Sequence, residues 1–221
     1  MTETVITVRG EYSSRYPAER GILSAAVAFD GEDRDDVIAR TSEGALVLRE
    51  ELVRLKDAAA ITTWSSDRLQ VWSERPWNNE GVQLEPMTHA HLGFRAVFSD
   101  FDALSQLLTD FASTPGIVFQ NIDWELTDAT RTMATAEVRS RAVKDAVAKA
   151  TVFAQSIGLG SVRATALADP GMLGDQGTSS SEPVMFAASA RLAKSGGNPE
   201  LQVTPDNIEV TALVDARFLA A

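Results

Sequence analysis

Apolar residues along this chain recur with two periods, and the switching between them predicts an order of strands and helices. Leu23, Ala25, Val27 and Phe29 alternate with Ser24, Ala26 and Ala28, the period of two that puts one set on a single face of a strand. A shorter run, Val5-Ile6-Thr7-Val8, precedes it and ends at Gly10, and Tyr16-Pro17 breaks the chain between the two. After the Asp30-Gly31 turn the period changes. Val37, Thr41, Ala45, Leu48, Leu52 and Leu55 recur at three or four residues, one stripe of a helix, with Asp33, Asp35 and Asp36 at its positive end. Gly44 beside that stripe costs about 1 kcal/mol against Ala, which points to the close approach of a neighbour.

A strand is expected over residues 61–73, carrying Trp64, Leu69, Val71 and Trp72. The loop from Pro76 and Trp77 to Gly81 leads into a returning strand. There Ala90, Leu92, Phe94, Ala96 and Phe98 alternate with His89, His91, Gly93, Arg95 and Val97. Asp100 is a good N-cap for a helix carrying Phe101, Leu104, Leu107, Leu108 and Phe111. Thr114-Pro115-Gly116 ends it, and Ile122, Trp124 and Leu126 then alternate with Asp123 and Glu125. The run from Ala129 to Gly158 predicts a long helix with Met133, Ala136, Val143, Ala146, Val147, Ala150, Phe153, Ala154 and Ile157 on its buried stripe. Alanine on that stripe allows close approach to a sheet, and Gly158 stands where a left-handed C-cap belongs.

A short strand follows over Val162 to Leu167. Residues 169–207 are rich in Gly, Ser and Pro, and they predict a long flexible loop holding at most one short apolar segment, at 185–194. The last strand puts Ile208, Val210, Ala212, Val214, Ala216 and Phe218 on one face and Glu209, Thr211, Asp215 and Arg217 on the other. The order is roughly ββα-ββ-α-β-α-β-β, without the strict alternation of a doubly wound fold. The expected class is α+β, antiparallel sheets with helices packed on one face. The 221 residues make one unit, or two closely packed α+β subdomains over about 1–98 and 99–221.

Composition narrows function mainly by exclusion. The net charge of −11 repels phosphate backbones and anionic lipid, so neither nucleic acid nor a membrane surface is an expected partner. With no cysteine, thiolate nucleophiles, disulfides and cysteine-ligated metals are ruled out. No stretch approaches the roughly 18 apolar residues of a membrane span. The N-terminal residues lack a basic region followed by an apolar one, so the expected location is the cytoplasm.

Candidate chemistry is sparse. His89 and His91, the 2 histidines of the chain, share a strand face as some metal sites require, but they lack a third ligand. Polar residues on a wet strand face account for them as well, and no metal or other cofactor is expected. Asp30-Gly-Glu-Asp-Arg-Asp-Asp36 lacks the alternating oxygen ligands of a calcium loop and reads as a turn with a helix N-terminus. Gly158-Leu159-Gly160 follows a helix, has Arg163 where a third glycine would stand, and is a cap and turn instead of a phosphate cradle. No Gly-x-Ser-x-Gly elbow accompanies the serines, and Ser179 to Ser181 lie in low-complexity sequence. Of the 4 tryptophans, Trp64, Trp72 and Trp124 are expected in a core or on a sheet face, and Trp77, in the loop after Pro76, is the candidate interaction residue if exposed, the alternative being that it folds back on its own sheet.

Several segments together carry a family resemblance. They are Val5-Ile-Thr-Val-Arg-Gly10, the turn at Pro17, Ile61-Thr62-Thr63, the stretch from Phe94 to Gly116-Ile117-Val118, the helix and turn from Ala146 to Gly160, and Pro205 to Phe218. In this order and spacing the chain resembles the SIMPL-domain family, also called DUF541. It departs in having Ala18 where many members carry Asp after the turn proline, and in showing no secretory signal. The resemblance implies a non-enzymatic, often oligomeric protein, sometimes linked to stress responses, and it brings over no catalytic residue. The leading expectation is therefore a self-associating or protein-binding molecule. The alternative is a small-ligand module using the 169–207 region or the surface beside Trp77.

Overall fold

The structure, a computed structural model, describes residues 3–77, 79, 81–173, 186–187, 189–190 and 203–221. Its elements run β1 (Thr4–Tyr16), β2 (Arg20–Gly31), α1 (Arg34–Asp57), β3 (Ile61–Ser66), β4 (Gln70–Glu74), β5 (Met87–Phe98), α2 (Phe101–Phe111), β6 (Ile117–Glu125), α3 (Asp128–Ser156), β7 (Val162–Ala168), β8 (Phe186–Ala187), β9 (Ser189–Ala190) and β10 (Ile208–Ala220). The strand pairings are antiparallel and the class is α+β, as the periods predict. The chain divides into two compact units: Met1–Pro17, Leu126–Ala188 and Asn207–Ala221 form the first, Ala18–Glu125 and Ser189–Asp206 the second. Because β1 pairs along its whole length with β10, no single cut in the sequence separates them. Among the described residues no helix is long and apolar enough to cross a membrane.

In the first unit a 4-stranded sheet has the order β1-β10-β7, with β8 also on β10, and α3 lies on it. Ile6, Val8, Ala216, Phe218 and Ala220 from the strands meet Ala146, Ala150 and Ala154 from the helix. The strand expected to end at Gly10 runs on to Tyr16, since β10 offers it a partner for that length.

The alanine helix is present, but its buried stripe differs from the one its pattern suggests. Ala134, Val138, Ala142, Ala146, Ala150 and Ala154 face the sheet, while Met133, Val147, Phe153 and Ile157 are exposed. Gly10 explains the difference. A Cβ there would collide with the Ala142 carbonyl and the Ala146 side chain, so helix and strand backbones nearly touch. At Ala142 and Ala146 only alanine fits at that separation, and Met133, Val147, Phe153 and Ile157 turn outward. A strict step of four also advances about 40° around a helix each time, so the contact line winds around α3. The helix ends as expected. Gly158 takes φ +80°, its N–H donates to Gln155 O (3.1 Å), and the Leu159 N–H donates to Ala154 O (2.9 Å). That bonding is a Schellman cap, with Leu159 packed against the core.

The second unit holds a 6-stranded sheet ordered β3-β5-β2-β6-β9, with β4 also on β5. The buried residues of α1 are Val37, Thr41, Ala45, Leu48, Leu52 and Leu55, the predicted stripe. Gly44 sits over Val27 and Phe29, so those strand residues face α1 and Ser24, Ala26 and Ala28 face away. Asp100 caps α2, accepting from the N–H groups of Asp102 and Ala103 (both 3.0 Å). The strand expected over 61–73 is interrupted. Ser66 faces Phe94 and Gln70 faces His91, so Asp67, Arg68 and Leu69 stand opposite only Leu92 and Gly93. One extra residue makes a bulge between β3 and β4. Of the loop expected over 169–207, residues 174–185, 188 and 191–202 lie outside the described residues. The short segment expected at 185–194 is described only as β8 and β9.

Candidate functional site

The face of the second sheet that points away from α1 carries most of the unit's unassigned polar chemistry. On β5, alternation places His89, His91, Gly93 and Arg95 on this face, opposite Asp30, Ala28, Ala26 and Ser24 of β2. A trough of about 290 Å³ opens there, with Ser24, Ser65, Asp67, His91, Arg95 and Gln120 among its lining. A bulge flanks it on each side. Against β2, Ser24 faces Asn121 and Ala25 faces Phe119, so Gln120 is the extra residue of β6. On the other side the β3–β4 bulge brings in Asp67, whose N–H donates to Gly93 O (2.8 Å). The Asp67 carboxylate lies over Gly93, with Oδ2 2.5 Å from where a Cβ would stand. A glycine inside a strand marks such a close approach, and an Asp at a break in alternation marks a turn. Both signals were in the sequence, which shows nothing of their meeting.

The histidines share a face as their spacing requires, yet their surroundings differ. The His89 ring stacks on Trp72 (5.4 Å between centroids, 20° between planes), and its Nε2 lies 3.4 Å from Glu74 Oε1. His91 belongs to the trough. Among the described residues no three His, Asp or Glu side chains gather as metal ligands, and no hydrogen bond joins either histidine to a serine. The acids at 30–36 do what a helix start asks: Asp33 accepts from the N–H groups of Asp35 (2.9 Å) and Asp36 (3.2 Å). Ser179 to Ser181 lie outside the described residues.

A second feature is the arm joining β4 to β5. Trp77 bridges Gln83, the Leu84 N–H donates to Pro76 O (2.8 Å), and Gly81 turns the chain at φ +75°. Trp77 is 67% exposed, and Val82, Leu84 and Trp72 are also exposed. The other tryptophans differ: Trp124 is buried and edge-on to Phe101 (5.0 Å, 79°), and Trp64 is half-buried.

The perturbed acids of the first unit fasten its sheet and helix. Asp215 accepts from Arg9 Nε (2.7 Å), and this bond, aided by the Gly171 N–H (2.8 Å), holds its carboxyl below the ordinary carboxylate value against the effect of burial. Asp145 is lowered by Lys149 and then by the Glu11 N–H (2.8 Å), tying α3 to β1.

A family model for SIMPL, described as protein of unknown function (DUF541), matches residues 6–218. No curated protein matches the chain.

Proposed function

The chain belongs to the SIMPL family, and from that premise we propose that it acts by binding a second copy of itself through the β4–β5 arm, with no catalytic step. One observation carries the reading: Trp77, Val82, Leu84 and Trp72, all exposed, sit on the one hairpin formed by β4, the arm and β5. Large aromatic side chains supply interface energy at low conformational cost. β4 also lies at the edge of its sheet, paired on one side to β5. Such a strand is self-complementary when a twofold axis sets it antiparallel to its own copy. The non-enzymatic part, and any link to stress responses, rest on the family resemblance alone.

Size-exclusion chromatography with light scattering tests it. The wild-type chain is expected to form dimers or larger assemblies at micromolar concentration. Trp77→Ser is expected to weaken assembly about tenfold or more while leaving far-UV circular dichroism unchanged. A wild-type chain that stays monomeric at high concentration overturns the proposal, as does a Trp77→Ser variant that assembles equally well.

A further inference from the structure

The trough on the second sheet has features that a solvated strand face does not require. Asp67 and Arg95 carry opposite charges, line the same small cavity, and form no ion pair with each other. Neither side chain has a hydrogen-bond or ion-pair partner among the described residues, nor does that of His91, Ser24, Ser65 or Gln120. Two bulges, one on each flank, aim Asp67 and Gln120 at the same place. Bulges redirect side chains in this way beside functional sites. Gly93, by lacking a side chain, leaves the floor open for the Asp67 carboxylate.

We propose that this trough binds a free α-amino acid as its zwitterion. Arg95 takes the carboxylate in a charge-assisted hydrogen bond, and Asp67 takes the ammonium, with the His91 imidazole on the Asp67 side, its Cε1 3.7 Å from the same Gly93 Cβ position. Gly93 and Arg95 are two strand residues apart, about 7 Å, a spread that one short zwitterion bridges. Ser24, Ser65 and Gln120 offer neutral donors and acceptors to the remaining polar atoms. The cavity volume of about 290 Å³ suits a single amino acid and is too small for a nucleotide or a peptide. This site is independent of the β4–β5 arm, so its failure leaves the self-association reading standing.

The test uses the full chain. Thermal-shift screening against the complete set of proteinogenic L-amino acids is followed by titration calorimetry on each hit. At least one amino acid is expected to bind saturably. Acetate and methylammonium, each carrying one half of the recognised charge, are expected to bind at least about tenfold more weakly. Asp67→Asn and Arg95→Gln are each expected to weaken binding about tenfold or more. Gly93→Ala is expected to do the same by displacing the Asp67 carboxylate. Unchanged melting curves of the unliganded variants show that the fold survives. The proposal is overturned if no amino acid binds up to about 10 mM. It is also overturned if acetate or methylammonium binds as well as the amino acid, or if the folded variants bind like wild type.

Discussion

Two helix ends use the same cap with different residues. Gly158 closes α3 at φ +80°, where glycine meets no steric penalty. Ala59 closes α1 at φ 58°, with its N–H donating to Lys56 O (3.0 Å) and the Ala60 N–H donating to Leu55 O (2.9 Å). An L-residue with a Cβ loses about 1 kcal/mol in this region. Ala59→Gly should therefore raise stability by up to about 1 kcal/mol, and Gly158→Ala should lower it by a similar amount, both read from urea unfolding. At the Arg9–Asp215 pair the prediction concerns pH. Asp215 has its folded value below the ordinary 3.8, so its contribution is complete above that value and fades as pH falls through the lower folded one. Asp215→Asn should destabilise at pH 7 by no more than about 1 kcal/mol. The difference from wild type should vanish at pH values below the folded one, measured by urea midpoints across the acid range.

At the scale of elements, α3 separates a hydrophobic pattern from a packing surface. Its large apolar side chains suggest one stripe and the sheet selects another, because the backbone approach at Gly10 admits only small residues. Substituting a buried alanine should thus cost more than removing an exposed phenylalanine. Ala146→Leu is expected to destabilise by about 1–3 kcal/mol through overpacking. Phe153→Ala, at a position 55% exposed, is expected to stay within about 0.5 kcal/mol of wild type. Equal losses in chemical denaturation would refute this account of the helix face. By contrast, the α1 stripe was fully legible, since leucines at three and four residues form a band wide enough to bury against a sheet whichever way the sheet twists.

For the whole molecule, the net charge of −11 opposes any association between copies. The Debye length falls from about 30 Å at 0.01 M salt to about 8 Å at 0.15 M. Self-association through the apolar β4–β5 arm should therefore tighten as salt rises across that range. Sedimentation velocity at both salt concentrations reads it, and an interface held by ion pairs would weaken instead. The amino-acid site should respond in the opposite sense, because salt screens its two charged contacts.

The sequence by itself determined the class, the order of most elements, the caps at Asp100 and Gly158, and the helix start at Asp33, Asp35 and Asp36, because those follow from local period, backbone preference and turn chemistry. The tertiary structure alone decided the face of α3, the bulge at Gln120, and the meeting of Asp67, His91 and Arg95 in one trough. The first depends on where the helix backbone meets a strand, and the others on register between strands far apart in the chain. Register is set by pairing across a sheet and leaves no periodic trace in the strands it joins.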